Sequence, residues 1–126
     1  MYSLHLMWNG EVYSGIDIAD DGNDGFAVLL ALAEEYARVR NMFPGDEFLP
    51  EFSQRMCVIM SRLIGPFAVV LYDKETQCLW FGRDVIGRRS LLKAAPLFAQ
   101  LLLLRRNPPM QGQKHALSTA AAMQIL

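Results

Sequence analysis

Residues 65–92 read GPFAVVLYDKETQCLWFGRDVIGRRSLL. Phe67, Val69 and Leu71 alternate with Ala68, Val70 and Tyr72, and every one of them is apolar or aromatic, the pattern of a strand covered on both faces. Asp73-Lys74-Glu75-Thr76 interrupts the run with residues that favour a solvated turn, and Gln77 to Arg83 rises again as a second strand. A buried antiparallel hairpin is the expected centre of the fold.

Upstream of the hairpin the period changes from two to about 3.6. Phe26, Leu29, Leu30, Ala33, Tyr36 and Ala37 recur at helical spacing while Glu34, Glu35 and Arg38 fall elsewhere, which predicts a helix over 25–38 with Asn23 or Asp24 as its cap. Asn41 to Pro50 holds two prolines and a Pro-Gly pair and reads as a linker. A second helix is expected over 51–64, with Phe52, Met56, Ile59, Met60 and Leu63 on one side and Gly65 as its stop. At the start of the chain, Ser3 to Trp8 reads as a strand, Asn9-Gly10 as a turn and Glu11 to Ile16 as a second extended piece. The acidic stretch Asp17 to Asp24 lacks the spaced ligands and closing Glu of an EF-hand and reads as a solvated loop. Helices lying on an antiparallel sheet, an α+β class, are the architecture this order predicts.

With 126 residues, 14.2 kDa, 52% apolar and 20% charged residues, the chain has material for one modest core. Its charge is uneven: residues 1–82 carry 5 basic and 12 acidic side chains, residues 83–126 carry 7 basic ones and Asp84 alone. The plain reading is that these halves face each other or water; a basic tail gripping RNA or an acidic partner is the sharper one. Single-stranded nucleic acid binding would want interleaved aromatics, and beyond Phe98 there are none, so nucleic acid is not expected as a partner. Cys57 and Cys78 have no CxxC or His-spaced partners, and they are expected to be buried free thiols rather than a metal site or disulfide. Met1 to His5 lacks the basic and apolar regions of a secretory signal, and the apolar run Pro96 to Leu104 is too short to cross a bilayer. No membrane association and a cytoplasmic location are expected. Residues 93–126 are broken by Asn107-Pro108-Pro109, and Ala116 to Leu126 reads as a helical or frayed end.

GPFAVVLYD followed by LWFGRDVIGRRSLL resembles the central hairpin and Arg-Asp-x-x-Gly-x-x-x-Leu turn of the glutaminase (class II glutamine amidotransferase) domain of asparagine synthetases. WNGEVYSGI is similar to the Asn-Gly-Glu-x-Tyr signature of the same family. The resemblance covers about Leu4 to Leu92, so residues 1–92 are expected to form a partial amidotransferase domain and 93–126 a divergent C-terminal segment. It implies part of the αββα sandwich of N-terminal-nucleophile hydrolases. It also implies roles for four residues: the Asn9 amide and Gly10 N–H as the oxyanion hole over the glutamine side-chain carbonyl, and Glu11 and Asp24 as holders of the substrate. Such a hole needs an amide donor and an unobstructed N–H converging on developing negative charge. Read alone, Asn9-Gly10 is a turn and Asn23-Asp24 a helix cap. Arg83-Asp84 and Gly87-Arg88-Arg89 are expected to organise the turn, with Asp84 paired to a neighbouring arginine.

The family resembled uses an N-terminal cysteine whose own α-amino group is the base. Position 2 here is tyrosine, and Asn9-Gly10 lies eight residues from the start. The nucleophile, the arginine that would hold the substrate carboxylate and the ATP-binding synthetase domain are all expected to be absent, so no cofactor or metal is assigned. The expectation is a truncated glutaminase domain of glutamine-dependent asparagine synthesis that is inactive alone and binds glutamine weakly or not at all. The alternative is a non-catalytic interaction module that takes a protein partner at an exposed sheet edge or on its basic C-terminal segment.

Overall fold

The computed structural model describes residues 4–91 and 122–125. The apolar run Pro96–Leu104, the Asn107-Pro108-Pro109 break and the 92/93 domain boundary lie outside the described residues. Strand β1 (Leu4–Gly10) leads to helices α1 (Asp24–Met42) and α2 (Phe48–Arg62), then strands β2 (Phe67–Asp73), β3 (Cys78–Arg83) and β4 (Ala122–Ile125). The sheet order is β1-β2-β3-β4, with β1, β2 and β3 antiparallel and β4 parallel to β3. Both helices pack with the sheet around one core, so the class is α+β.

The central hairpin forms where it was read. Val69, Leu71, Cys78 and Trp80 are buried toward the helices, whereas Val70, Tyr72, Leu79 and Phe81 are half-buried. Among the described residues the helices lie on one side of the hairpin, while on its other face Ala68 is buried and Val70 and Tyr72 are half-buried. The solvated turn is corrected at Asp73, which is fully buried. Its carboxylate accepts hydrogen bonds from the Tyr36 hydroxyl (2.8 Å), the Thr76 hydroxyl (2.6 Å) and the Glu75 and Thr76 N–H groups (3.0 and 3.3 Å).

An aromatic cluster ties the two helices to β3. Tyr36 meets the edges of Phe48 and Phe52, and Phe52 meets Trp80 edge-on at 5.3 Å. Each of these side chains is at most 1% exposed, and such burial stabilises by about 1.5–3 kcal/mol per large apolar side chain. The Trp80 indole donates to Ser53 Oγ (2.9 Å), which in turn donates to the Leu49 carbonyl (2.7 Å), so both polar groups enter the core satisfied.

The apolar stripe of α1 differs from the sequence expectation. Val28, Leu32, Tyr36 and Val39 are buried with Glu35, while Phe26 and Leu30 are 66% and 50% exposed. Apolar residues surround most of α1, so periodicity alone satisfies two faces, and contact with the sheet selects one. Glu35 is buried because Arg38 and Arg55 both bond it. Helix α2 begins at Phe48, ahead of the expected Glu51, with Pro50 in its first turn, where a missing N–H costs no intrahelical bond. It ends at Arg62; Ile64 has already left it to bridge Ser14.

Asn9-Gly10 is not a turn. Both residues finish β1, paired with Ala68 and Phe67, and the chain runs on beside β2 as the Glu11 N–H bonds the Pro66 carbonyl (2.9 Å) and the Tyr13 N–H bonds Ile64 (2.7 Å). The expected second strand over 11–16 reduces to the single bridge at Ser14. The helical or frayed reading of 116–126 is corrected at Ala122–Ile125, which extend along Leu79–Gly82. The outer edge of β3 offers unpaired backbone groups that an extended segment satisfies.

Candidate functional site

Leu4, Leu6 and Trp8 turn one face of β1 toward the core, and Trp8 decides what happens at its end. The indole stacks on Phe67 at 5.2 Å and donates to the Gly10 carbonyl (3.2 Å). The first turn of α1 rests on Trp8 at Gly25, where a Cβ would come within 3.2 Å of the indole. That contact sets α1 so that Asp24 Oδ2 accepts a hydrogen bond from the Val12 N–H at 2.6 Å. Asn23 is the cap itself, its Oδ1 accepting from the Phe26 N–H (2.9 Å). The neighbouring residues thus divide two tasks, local capping and a tie between α1 and the segment after β1.

Two glycines permit this close corner. A Cβ on Gly10 would lie 2.4 Å from the Pro66 carbonyl oxygen, and one on Gly65, at φ +153°, would lie 2.0 Å from that of Glu11. Gly65, read as a helix stop, is required by this crossing. Glu11 is exposed and pairs with Arg89 at 3.5 Å. Both side chains reach water, 59% and 37% exposed, so the pair contributes at most about 1 kcal/mol. Arg89 was read as part of a structural turn; its reach across 78 positions to Glu11 has no signal in sequence spacing.

The turn that delivers Arg89 is built on Asp84. Its carboxylate accepts from the Phe67, Ile86, Gly87 and Arg88 N–H groups and from the Arg88 guanidinium at 3.4 Å. The expected pairing of Asp84 with a neighbouring arginine is therefore with Arg88. Burial pushes the Asp84 carboxyl up, but the bonds from Phe67 N–H, the Arg88 side chain and the Ile86 and Arg88 N–H groups hold it below its ordinary value. A depressed folded pKa stabilises above the unfolded value, about pH 4, and that stabilisation is lost as pH falls through the folded pKa. Asp84→Asn should thus lower the urea midpoint most at neutral pH, and the gap to the parent chain should close as the pH drops below about 4.

Of the four residues singled out in the sequence, Gly10, Glu11 and Asp24 gather at this corner through Val12, while the Asn9 side chain stands apart. Asn9 alternates with Trp8, so it leaves β1 on the opposite face and is exposed. Among the described residues no hydrogen bond joins it to Asp24.

Comparison with known proteins adds the relationship. Over 89 residues, 69% of its length, the chain is 34% identical to asparagine synthetase domain-containing protein 1 of Gallus gallus and covers 11% of that protein. The human protein of the same name is 31% identical over the same share of the chain and 11% of its own length. An asparagine synthetase domain-containing protein of Drosophila melanogaster is 49% identical over 39 residues, 31% of this chain and 7% of that one. The chain belongs to the asparagine synthetase family. It spans about a ninth of the length of the curated relatives it matches. No family model and no solved structure matches it.

This asparagine synthetase family chain has two cysteines, both free thiols, in unlike settings. Cys78 is buried in β3, and that burial pushes its thiol up, away from the reactive thiolate. Cys57 corrects the buried reading: it is exposed on the side of α2 away from the core. Iodoacetamide should therefore label Cys57 in the native protein and reach Cys78 only on unfolding, as peptide mass mapping would read. Neither belongs to the corner of Gly10, Glu11 and Asp24. Among the described residues no helix is long and apolar enough to cross a membrane.

Proposed function

We propose that this chain carries part of the glutamine pocket of a glutaminase domain of the kind that supplies ammonia for asparagine synthesis, and that it does not hydrolyse glutamine by itself. The observation that carries the reading is the corner at the end of β1, where Asp24 is bound to the Val12 N–H and Glu11 and Gly10 adjoin it. Asp24 Oδ2 is taken by Val12, which leaves Oδ1 to accept from an ammonium group, and exposed Glu11, paired with Arg89, adjoins it. Gly10, where a Cβ would meet the Pro66 carbonyl oxygen, lets β1 close on the start of β2 and so fixes the backbone of this corner. The αββα sandwich remains part of the proposal, with the observed helices and sheet as one helix layer and one sheet layer of it. A cytoplasmic location belongs to the same reading. The ATP-dependent step falls to a synthetase domain outside this chain.

Chemistry is where the chain falls short. An attack on the glutamine amide needs a thiolate beside a base, and the buried Cys78 and the helix-borne Cys57 supply neither at this corner. Ammonia release from glutamine should stay at background for the chain as it stands and appear when a cysteine-bearing N-terminal extension is joined to it. Glutamine should shift backbone resonances near Asn9 and Asp24, weakly, and Asp24→Ala should abolish those shifts; shifts that survive the substitution would place glutamine elsewhere.

A second reading has its own observation. Among the described residues β1 is an edge of the sheet, hydrogen-bonded to β2 on one side. An edge strand can accept an added strand from a partner, which would make the chain a non-catalytic interaction module. A stable partner complex, with both forms silent in the ammonia assay, would favour it.

A further inference from the structure

We propose that the groove between α1 and the loop before it docks the apolar face of a basic amphipathic helix from another protein. The groove is an open trough of about 450 Å³. Ile16 and Ile18 form its loop wall, and Phe26, Ala27, Leu30 and Ala31 form its α1 wall. Phe26 and Leu30 follow each other at four-residue spacing, 66% and 50% exposed, with the small Ala27 and Ala31 beside them. Large residues one turn apart, flanked by alanines, make the ridge and trough that a second helix fills with its own side chains at the same spacing. This is the apolar face of α1 that the sheet left unused.

Charge selects the occupant. Asp17 and Glu34 line the groove and, among the described residues, no lysine, arginine or histidine does; Asp20 and Asp21 are exposed in the same loop. The nearest cation along α1, Arg38, is bonded to Glu35. An apolar trough with an acidic rim repels nucleic acid and anionic lipid and attracts a segment that presents leucine-like side chains on one face and lysine or arginine on the other. Electrostatic complementarity of this kind raises the association rate and suppresses anionic competitors, while the apolar anchors hold the complex. The surface shares no residue with the corner of Gly10, Glu11, Asp24 and Arg89, so it stands whatever that corner does.

The test uses the full chain and a fluorescein-labelled model peptide of about 14 residues, with leucine at helical i, i+3, i+4 and i+7 positions and lysine elsewhere. Fluorescence anisotropy should show saturable binding that weakens as salt rises. Phe26→Ser or Leu30→Ser should weaken it about tenfold or more. Asp17→Asn with Glu34→Gln should weaken it less and flatten its salt dependence. Phe26 and Leu30 are exposed, so circular dichroism should be unchanged in their variants; on the unaltered chain, amide shifts at residues 16–34 should titrate with the same midpoint as the anisotropy. The proposal is overturned if the peptide does not bind, if the shifts map elsewhere, or if a glutamate-for-lysine peptide binds as well. It is equally overturned if binding appears only after Lys93, Arg105, Arg106 and Lys114 are changed to glutamine in the full chain, which would make the chain's own basic segment the occupant. Dimers that Phe26→Ser dissolves in sedimentation would assign the groove to a second copy instead.

Discussion

Phe52→Ala is expected to lower the unfolding free energy by about 3–5 kcal/mol. Phe52 is fully buried, and it is the ring that touches Tyr36 of α1, Phe48 of α2 and Trp80 of β3 at once. Alanine removes the apolar transfer contribution and leaves a void that three rigid aromatic rings cannot close by changing rotamer. A domain of this size has about 5–15 kcal/mol in total, so the loss takes a fifth of the margin or more. Urea unfolding followed by the fluorescence of Trp8 and Trp80 reads it. Phe52→Leu, which keeps much of the volume, should lose clearly less; equal losses would mean that the aromatic cluster does not act as one unit.

The second large effect is expected at Asp73→Ala, at about 3–5 kcal/mol. Asp73 has no exposed surface and collects the Tyr36 and Thr76 hydroxyls and two N–H groups of the hairpin turn. Truncation leaves these donors without their acceptor, two of them hydroxyls at 2.6 and 2.8 Å, and bonds to a charged group are the stronger kind. Proximity to Asp73 also matters for Tyr36: burial first, then the hydrogen bond and negative charge of Asp73, drive its hydroxyl far above the usual tyrosine range, so it stays a donor at every working pH. Tyr36→Phe should cost less than Asp73→Ala, because the carboxylate keeps three of its donors. The reverse order in denaturant midpoints would show that the turn is held by the Tyr36 hydroxyl rather than by Asp73.

The corner at the end of β1 and the groove along α1 place different demands on the same helix. The N-terminus of α1 is fixed by Trp8 beneath Gly25 and by the bond from Val12 to Asp24, while Phe26 and Leu30 one turn on remain open to water. The macrodipole of α1 favours the carboxylate of Asp24 at its first turn, so this end of the helix is suited to hold negative charge whether or not glutamine reaches it.

By itself the sequence determined the hairpin, the two helices and the α+β class. Periods of 2 and 3.6 are local properties of where side chains leave the backbone, and Phe67–Phe81 and the Phe52, Met56, Met60 stripe show them without interference. It also pointed to the family, because the Asn-Gly-Glu and Arg-Asp-x-x-Gly motifs are strings of residues legible without any tertiary contact. Only the tertiary structure decided which face of α1 is core, since apolar residues lie on both Val28/Leu32 and Phe26/Leu30 and the sheet can cover one. It decided that Asn9-Gly10 ends a strand, because β2 supplies a partner that a local turn propensity cannot foresee. It brought Asp24 to Val12 and Arg89 to Glu11, contacts between residues 12 and 78 positions apart, which depend on how α1 and the Asp84 turn are stacked and leave no periodic trace in the chain.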